Sequence, residues 1–230
     1  MRPFESDVTA PPTLSAHRLA RALTQPGCPV CRLVREGEER WSWNLLYEFT
    51  GDPEVHESFA RSLGLCAHHA RLLERVVEGR RLMTPSGVAR LYETVVRELS
   101  RRLAALQPRL KRDGCPLCAY AGELAERESY TLARLLRNPR WREGFADSDG
   151  LCLPHLQTVL PHADREVRKW LLTDFRRRLV ELERRLGELQ RKQRYDVEET
   201  LTPEEAASWR EALWRLGGMD YDGLLVEDDV

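Results

Sequence analysis

The chain of 230 residues is 42% hydrophobic and 32% charged, with a mean hydropathy of -0.52 and a net charge of -1. A chain of this length buries roughly 70 to 75% of its unfolded surface, so it needs no disulfide framework, and its composition excludes collagen-like and fully disordered classes. No apolar run approaches the roughly 20 residues of a membrane span, and Met1 to Ala10 hold acids and a proline where a secretory leader needs a basic start and an apolar run; a cytoplasmic protein without a membrane partner is expected.

Apolar residues recur at three- and four-residue steps, no Val, Ile or Thr alternation appears and isoleucine is absent, so the predicted class is all-α. A flexible stretch over 1–14 leads to a short helix capped by Ser15 that carries Leu19 and Leu23. After Gly27-Cys28-Pro29-Val30-Cys31 a helix runs through Trp43, Leu46 and Tyr47 and ends at Asp52-Pro53. Cys66-Ala67-His68-His69 opens a further helix, and Thr84-Pro85 starts an amphipathic one with Val88, Leu91, Val95, Leu99, Leu103 and Leu106 on one stripe. The order then repeats. Gly114-Cys115-Pro116-Leu117-Cys118 leads into a helix through Leu124, Tyr130 and Leu135 that ends at Asn138-Pro139, Cys152-Leu153-Pro154-His155 opens another, and a long helix from Asp164 carries Val167, Leu171, Phe175, Leu179, Leu182, Leu186 and Leu189. Its polar face of interleaved arginines and glutamates reads as solvated surface.

The two cysteine pairs lie 87 residues apart, and the segment Phe59 to His69 returns 86 residues later as Phe145 to His155. A tandem duplication follows, with a first metal-binding repeat over 15–107, a second over 108–194 and a tail over 195–230.

All six cysteines belong to the repeat. Taking each Cys-x-x-Cys with its own Cys-x-x-His gives the sets Cys28, Cys31, Cys66, His69 and Cys115, Cys118, Cys152, His155, each with the three-thiolate, one-imidazole composition of a closed zinc site. A Cys-Pro-x-Cys turn aims both sulfurs at one ion, and helix-start N–H groups stabilise the thiolates. A crossed arrangement, in which the pair of one repeat meets the Cys-His of the other, has the same composition and is not separated from the local one by spacing. Zinc is the expected ion, two per chain, with an iron-sulfur cluster as the alternative. His68 aligns with Pro154, so His69 and not His68 is the expected ligand, while His17, His56 and His162 have no repeat partner and read as ordinary polar residues. Four protein ligands leave no open position, so the sites are expected to be structural and an enzymatic role is not favoured. Glu36, Glu39, Glu123 and Glu126 recur in register after the cysteine pairs, but no histidine stands where a di-iron site needs one, and solvated helix faces account for them.

Gly-Cys-Pro-x-Cys followed by Gly-Leu-Cys-x-x-His, twice in a helical chain, resembles a bacterial family of helical proteins defined by such duplicated motifs, a domain of unknown function. The resemblance spans residues 17 to about 190, rests on the eight ligand positions, and implies metal binding without an activity.

In the tail, Thr202-Pro203-Glu204-Glu205 predicts a capping box and a helix over about 203–216 that stops at Gly217-Gly218. Ala206, Trp209, Leu213 and Leu216 form its apolar side, which either docks on the body or waits for a partner. Residues 195–230 carry -9, leaving +8 on 1–194, so the tail is also able to fold back and mask a basic body. The function expected is an interaction or adaptor module for a protein partner. A nucleic-acid-binding or redox protein is the alternative.

Overall fold

The computed structural model describes residues 14–79, 84–106 and 110–219. Those residues form ten α-helices and one 3-10 turn, and no strand is present among them, so the chain is all-α. In order these are α1 (Leu14–Leu23), α2 (Pro29–Glu48), α3 (Pro53–Ser62), α4 (Ala67–Gly79), α5 (Ser86–Leu103), α6 (Pro116–Leu135), α7 (Pro139–Asp147), α8 (Leu153–Val159), the 3-10 turn Leu160–His162, α9 (Arg165–Lys192) and α10 (Pro203–Gly217).

The helix boundaries follow local chemistry, with instructive differences from the sequence reading. Asp52 and Asn138 do not end α2 and α6, which stop at Glu48 and Leu135; each instead caps the next helix, where its side chain accepts from Glu54 N or Arg140 N and proline fills the first helical position. Ser15 lies inside α1 and is no cap, because the helix already includes Leu14; the rest of the 1–14 stretch lies outside the described residues. Asp164 caps α9 by accepting from Val167 N, and Thr202 with Glu205 completes the capping box of α10.

The described residues divide into two compact units. Unit 1 comprises 14–33 and 125–219, unit 2 comprises 34–124, and the divisions fall inside α2 and α6. The cysteine pair at the start of α2 therefore belongs with the second Cys-x-x-His, and the pair at the start of α6 with the first.

Unit 2 has a core of Leu45, Leu46, Phe59, Leu65, Leu72, Leu73, Val76, Leu91, Val95 and Leu117, with α3 packed on α5. The α5 stripe stops short of its predicted length, since Leu103 and Leu106 are exposed. Gly37 of α2 lies so close to the Leu124 side chain of α6 that a Cβ there would require Leu124 to shift. Unit 1 buries Leu19, Leu132, Leu136, Phe145, Leu156, Val159, Val167 and Leu171, with α1 against α7 and α10 against both α8 and α9.

The glycine of each Gly-Leu-Cys has a steric reason. Gly64 and Gly150 have φ of 84° and 75°, the left-handed region that favours glycine. Each also lies beneath a side chain from the following long helix: a Cβ at Gly64 would come 3.0 Å from the Tyr92 ring, and one at Gly150 would come 2.9 Å from Arg178 Nε. Tyr92 and Arg178 stand 86 positions apart and do equivalent work, Tyr92 Oη accepting from Leu65 N at 3.3 Å and Arg178 donating to Ser148 O at 2.7 Å. Gly150→Ala is expected to cost unit 1 about 1 to 2 kcal/mol through backbone strain alone; a denaturation midpoint identical to that of the parent would reject this role.

Candidate metal centres

A cysteine immediately before a helix and a ligand three residues further on lie on one side of the first turn. Cys28 and Cys31 stand in this relation to α2, Cys152 and His155 to α8, Cys66 and His69 to α4, and Cys115 and Cys118 to α6. The fold brings the eight residues into two groups of four, Cys28, Cys31, Cys152 and His155 in unit 1, and Cys66, His69, Cys115 and Cys118 in unit 2. All eight predicted ligands are thus gathered, and of the two groupings that spacing left open, the local sets Cys28, Cys31, Cys66, His69 and Cys115, Cys118, Cys152, His155 and the crossed ones, the fold has the crossed one. The cause is the division of α2 and α6, which places a cysteine pair in one unit and most of its own helix in the other.

In unit 1, His155 Nδ1 lies 3.6, 3.1 and 3.2 Å from the sulfurs of Cys28, Cys31 and Cys152, and the last two sulfurs are 3.6 Å apart. In unit 2, His69 Nδ1 lies 3.3, 3.5 and 3.3 Å from Cys66, Cys115 and Cys118, and the sulfurs of Cys66 and Cys118 are 3.7 Å apart. A tetrahedral ion with ordinary zinc bond lengths requires edges of about 3.8 Å between sulfurs and about 3.5 Å from sulfur to nitrogen. Each group therefore has the donors and the dimensions to hold one metal ion. The six cysteines are free thiols, and the sulfur separations are far beyond a disulfide bond.

Electrostatics leads to the same requirement. Burial pushes the Cys28 thiol up, but hydrogen bonds with Cys152, Cys31 and His155 outweigh it and hold Cys28 well below the ordinary thiol range. Cys31, hydrogen-bonded to Cys152 and Cys28, is pushed far up. In unit 2, burial of Cys115 is overcome by the N–H groups of Cys66, Cys118 and Leu117 and by the His69 ring, which bring it to about 7. Cys118 is pushed up to about 12 by burial and by its neighbours Cys66 and Cys115. Burial pulls both imidazoles down, but Glu38 and Cys115 raise His69 to about 9, and Cys152 and Cys28 raise His155 to about 10. Three sulfurs in one cage ionise together only when a cation shares it.

The surroundings of the two groups differ. In unit 2, Glu38 of α2 is buried and its Oε1 lies 3.0 Å from His69 Nε2, the carboxylate-histidine relation that fixes a ring for metal binding through its other nitrogen. Sequence reasoning missed Glu38 because the residue 87 positions on is Ala125, so the repeat gave no signal. His68 is exposed and packs edge-on against His69, and with His69 and Glu38 it forms a further cluster of possible metal donors. Glu126 pairs with His162 at 2.7 Å and Glu39 with Arg35 at 3.1 Å. Glu38→Ala is expected to weaken metal binding in unit 2 by about 10- to 100-fold while leaving unit 1 unchanged. Competition with a chromophoric chelator measures this, and an equal loss from both centres would contradict it.

In unit 1 the neighbour is the end of α10. Met219 Sδ lies 3.2 Å from Cys28 N, and Met219 N donates to Cys31 Sγ at 3.4 Å. Gly27 N donates to Asp149 Oδ2 at 2.6 Å, tying the cysteine-pair turn to the loop that precedes Cys152.

The docking of α10 reverses its expected polarity. Its buried residues are Glu205, Ser208 and Arg215, while Ala206, Trp209, Leu213 and Leu216 face outward. Ion pairs explain the inversion: Lys192 reaches Glu205 at 2.8 Å, Arg185 reaches Glu211 at 2.7 Å, and buried Arg215 donates to Asp149 O at 3.0 Å and Leu151 O at 3.3 Å. The segment from 195 to 219 therefore belongs to unit 1, with α10 packed on α9 and α8. The acidic residues from 220 onward lie outside the described residues.

No protein-family model, curated protein or solved structure matches the chain. Among the described residues no helix is long and apolar enough to cross a membrane.

Proposed function

We propose that the protein is a zinc-binding helical adaptor, in which two closed Cys3His centres fix the ends of helices and leave an outer face for a protein partner. The observation that carries the metal reading is the complete four-donor set in each unit, at tetrahedral spacing. Four protein donors fill the coordination of zinc, so the ion holds structure and activates no water. The adaptor reading rests on α10, which is anchored by its polar side and presents Trp209, Leu213 and Leu216, all 45% or more exposed. A tandem duplication as the origin of the two centres is supported by the equivalent work of Tyr92 and Arg178 over Gly64 and Gly150. Free cysteines in these numbers suit a reducing compartment such as the cytoplasm.

A nucleic-acid surface is the less favoured reading because the arginines of α9 are engaged by acids: Arg177 with Asp174, Arg184 with Glu181, and Arg191 with Glu188 and Glu199. Purification without added metal, followed by elemental analysis and a visible spectrum, tests the central reading. Two zinc ions per chain and no colour are expected; a brown, iron-containing preparation would replace it with the iron-sulfur alternative. Trp209→Ala is expected to change stability by no more than about 0.5 kcal/mol and to leave metal content intact, as for an exposed side chain outside the core. A loss of about 2 kcal/mol or more would show that the stripe is covered within the protein.

A further inference from the structure

The two centres carry the same donor atoms but are unequally accessible. In unit 1, Cys28 and Cys152 are fully buried and Cys31 is 6% exposed. Met219, two residues beyond α10, is in contact at Cys28 N and Cys31 Sγ. An N–H donated to a sulfur also draws charge from it and makes it a poorer nucleophile. In unit 2 the order is reversed: His69 is buried and held by Glu38, whereas Cys66 and Cys115 are half-buried and Cys118 is exposed. The neighbouring sulfur of Cys66 lies 3.7 Å from that of Cys118.

Resting on the zinc reading above, we infer that unit 2 holds an oxidant-releasable zinc ion: peroxide oxidises Cys118, a disulfide to Cys66 follows and the ion leaves, while unit 1 keeps its own. Attack of Cys118 Sγ on hydrogen peroxide forms an S–O bond and breaks the O–O bond, releasing hydroxide and leaving a sulfenic acid. Cys66 Sγ then attacks the Cys118 sulfur, forming the S–S bond and breaking the S–O bond, and a second hydroxide leaves. Two thiolates, one peroxide and two protons thus become one disulfide and two waters. Two electrons pass from sulfur to oxygen and zinc stays divalent. Only Cys115 and His69 remain as donors, too few to retain a tetrahedral ion. Reduction by a dithiol restores the set, so the step is reversible.

The test uses the full chain loaded with two zinc ions and treated with limiting hydrogen peroxide, with released zinc followed by a chromophoric chelator and cysteine oxidation mapped by differential alkylation. One zinc per chain is expected to leave at least about tenfold faster than the other, because the reaction needs contact with the attacked sulfur. A Cys66–Cys118 disulfide should accumulate in step with the release, while Cys28, Cys31 and Cys152 stay reduced. Cys28→Ser provides the second arm: it should begin with the unit 2 zinc alone and lose it at the parent rate. Equal release from both centres, earlier release from unit 1, or oxidation without zinc loss would overturn the inference and leave the zinc reading standing. A purified chain without zinc would overturn that reading and this inference with it.

Discussion

Cys28→Ser and Cys152→Ser each remove one of two zinc ions, and the double variant still retains one, whereas Cys28→Ser combined with Cys66→Ser retains none. This is the outcome expected for the crossed centres, in which Cys28 and Cys152 share unit 1 and Cys66 belongs to unit 2. Local centres would give the opposite result for the two double variants, so zinc content alone decides between them. The structural penalty should follow the same division. Zinc in comparable small sites supplies about 10 to 16 kcal/mol of apparent binding energy, so Cys66→Ser should open 34–124 to protease and leave 125–219 resistant. Opening of both regions to the same degree would mean that the two units do not hold their ions independently.

Removal of residues 195–230 should have its main effect on unit 1. The truncation takes away Arg215, a residue 2% exposed whose guanidinium supplies the donors for Asp149 O and Leu151 O, next to Cys152. Arg215→Ala isolates this contribution. Loss of a buried charge-assisted network of this kind costs about 3 kcal/mol, which should appear as a lower denaturation midpoint. Zinc should then leave unit 1 faster, because Met219 no longer holds its place over Cys28 and Cys31. Unit 2 should keep its parent rate of metal exchange. A variant with an unchanged midpoint and unchanged release would show that α10 is only an appendage.

The sequence disclosed donor identity better than donor grouping. Cysteine and histidine three apart at a helix start are a local pattern, visible without any knowledge of the fold, and the repeat itself selected His69 over His68. Grouping depends on where α2 and α6 are divided between units, and local and crossed sets have identical composition. The inverted docking of α10 escaped for a different reason. A hydrophobic stripe marks the buried face only when burial is the strongest force on the helix, and here Lys192, Arg185 and the carbonyls of Asp149 and Leu151 hold the polar side. Glu38 was hidden because it exists on one side of the repeat only, so the feature that made the ligands legible gave no account of it.

The crossed connectivity also imposes a timetable on synthesis. Among the described residues unit 2 spans a continuous stretch, and its farthest sulfur pair is separated by 52 residues, so its centre has all its donors once Cys118 has emerged from the ribosome. Unit 1 closes a contact between Cys28 and His155, 127 residues apart, around that stretch, and the contact of Met219 with Cys28 adds a span of 191. Long closures form late, after the shorter ones have reduced the freedom of the chain between their ends. The pair Cys28 and Cys31 is therefore enclosed only after His155 and Met219 have been made, and until then it stands as an open dithiol.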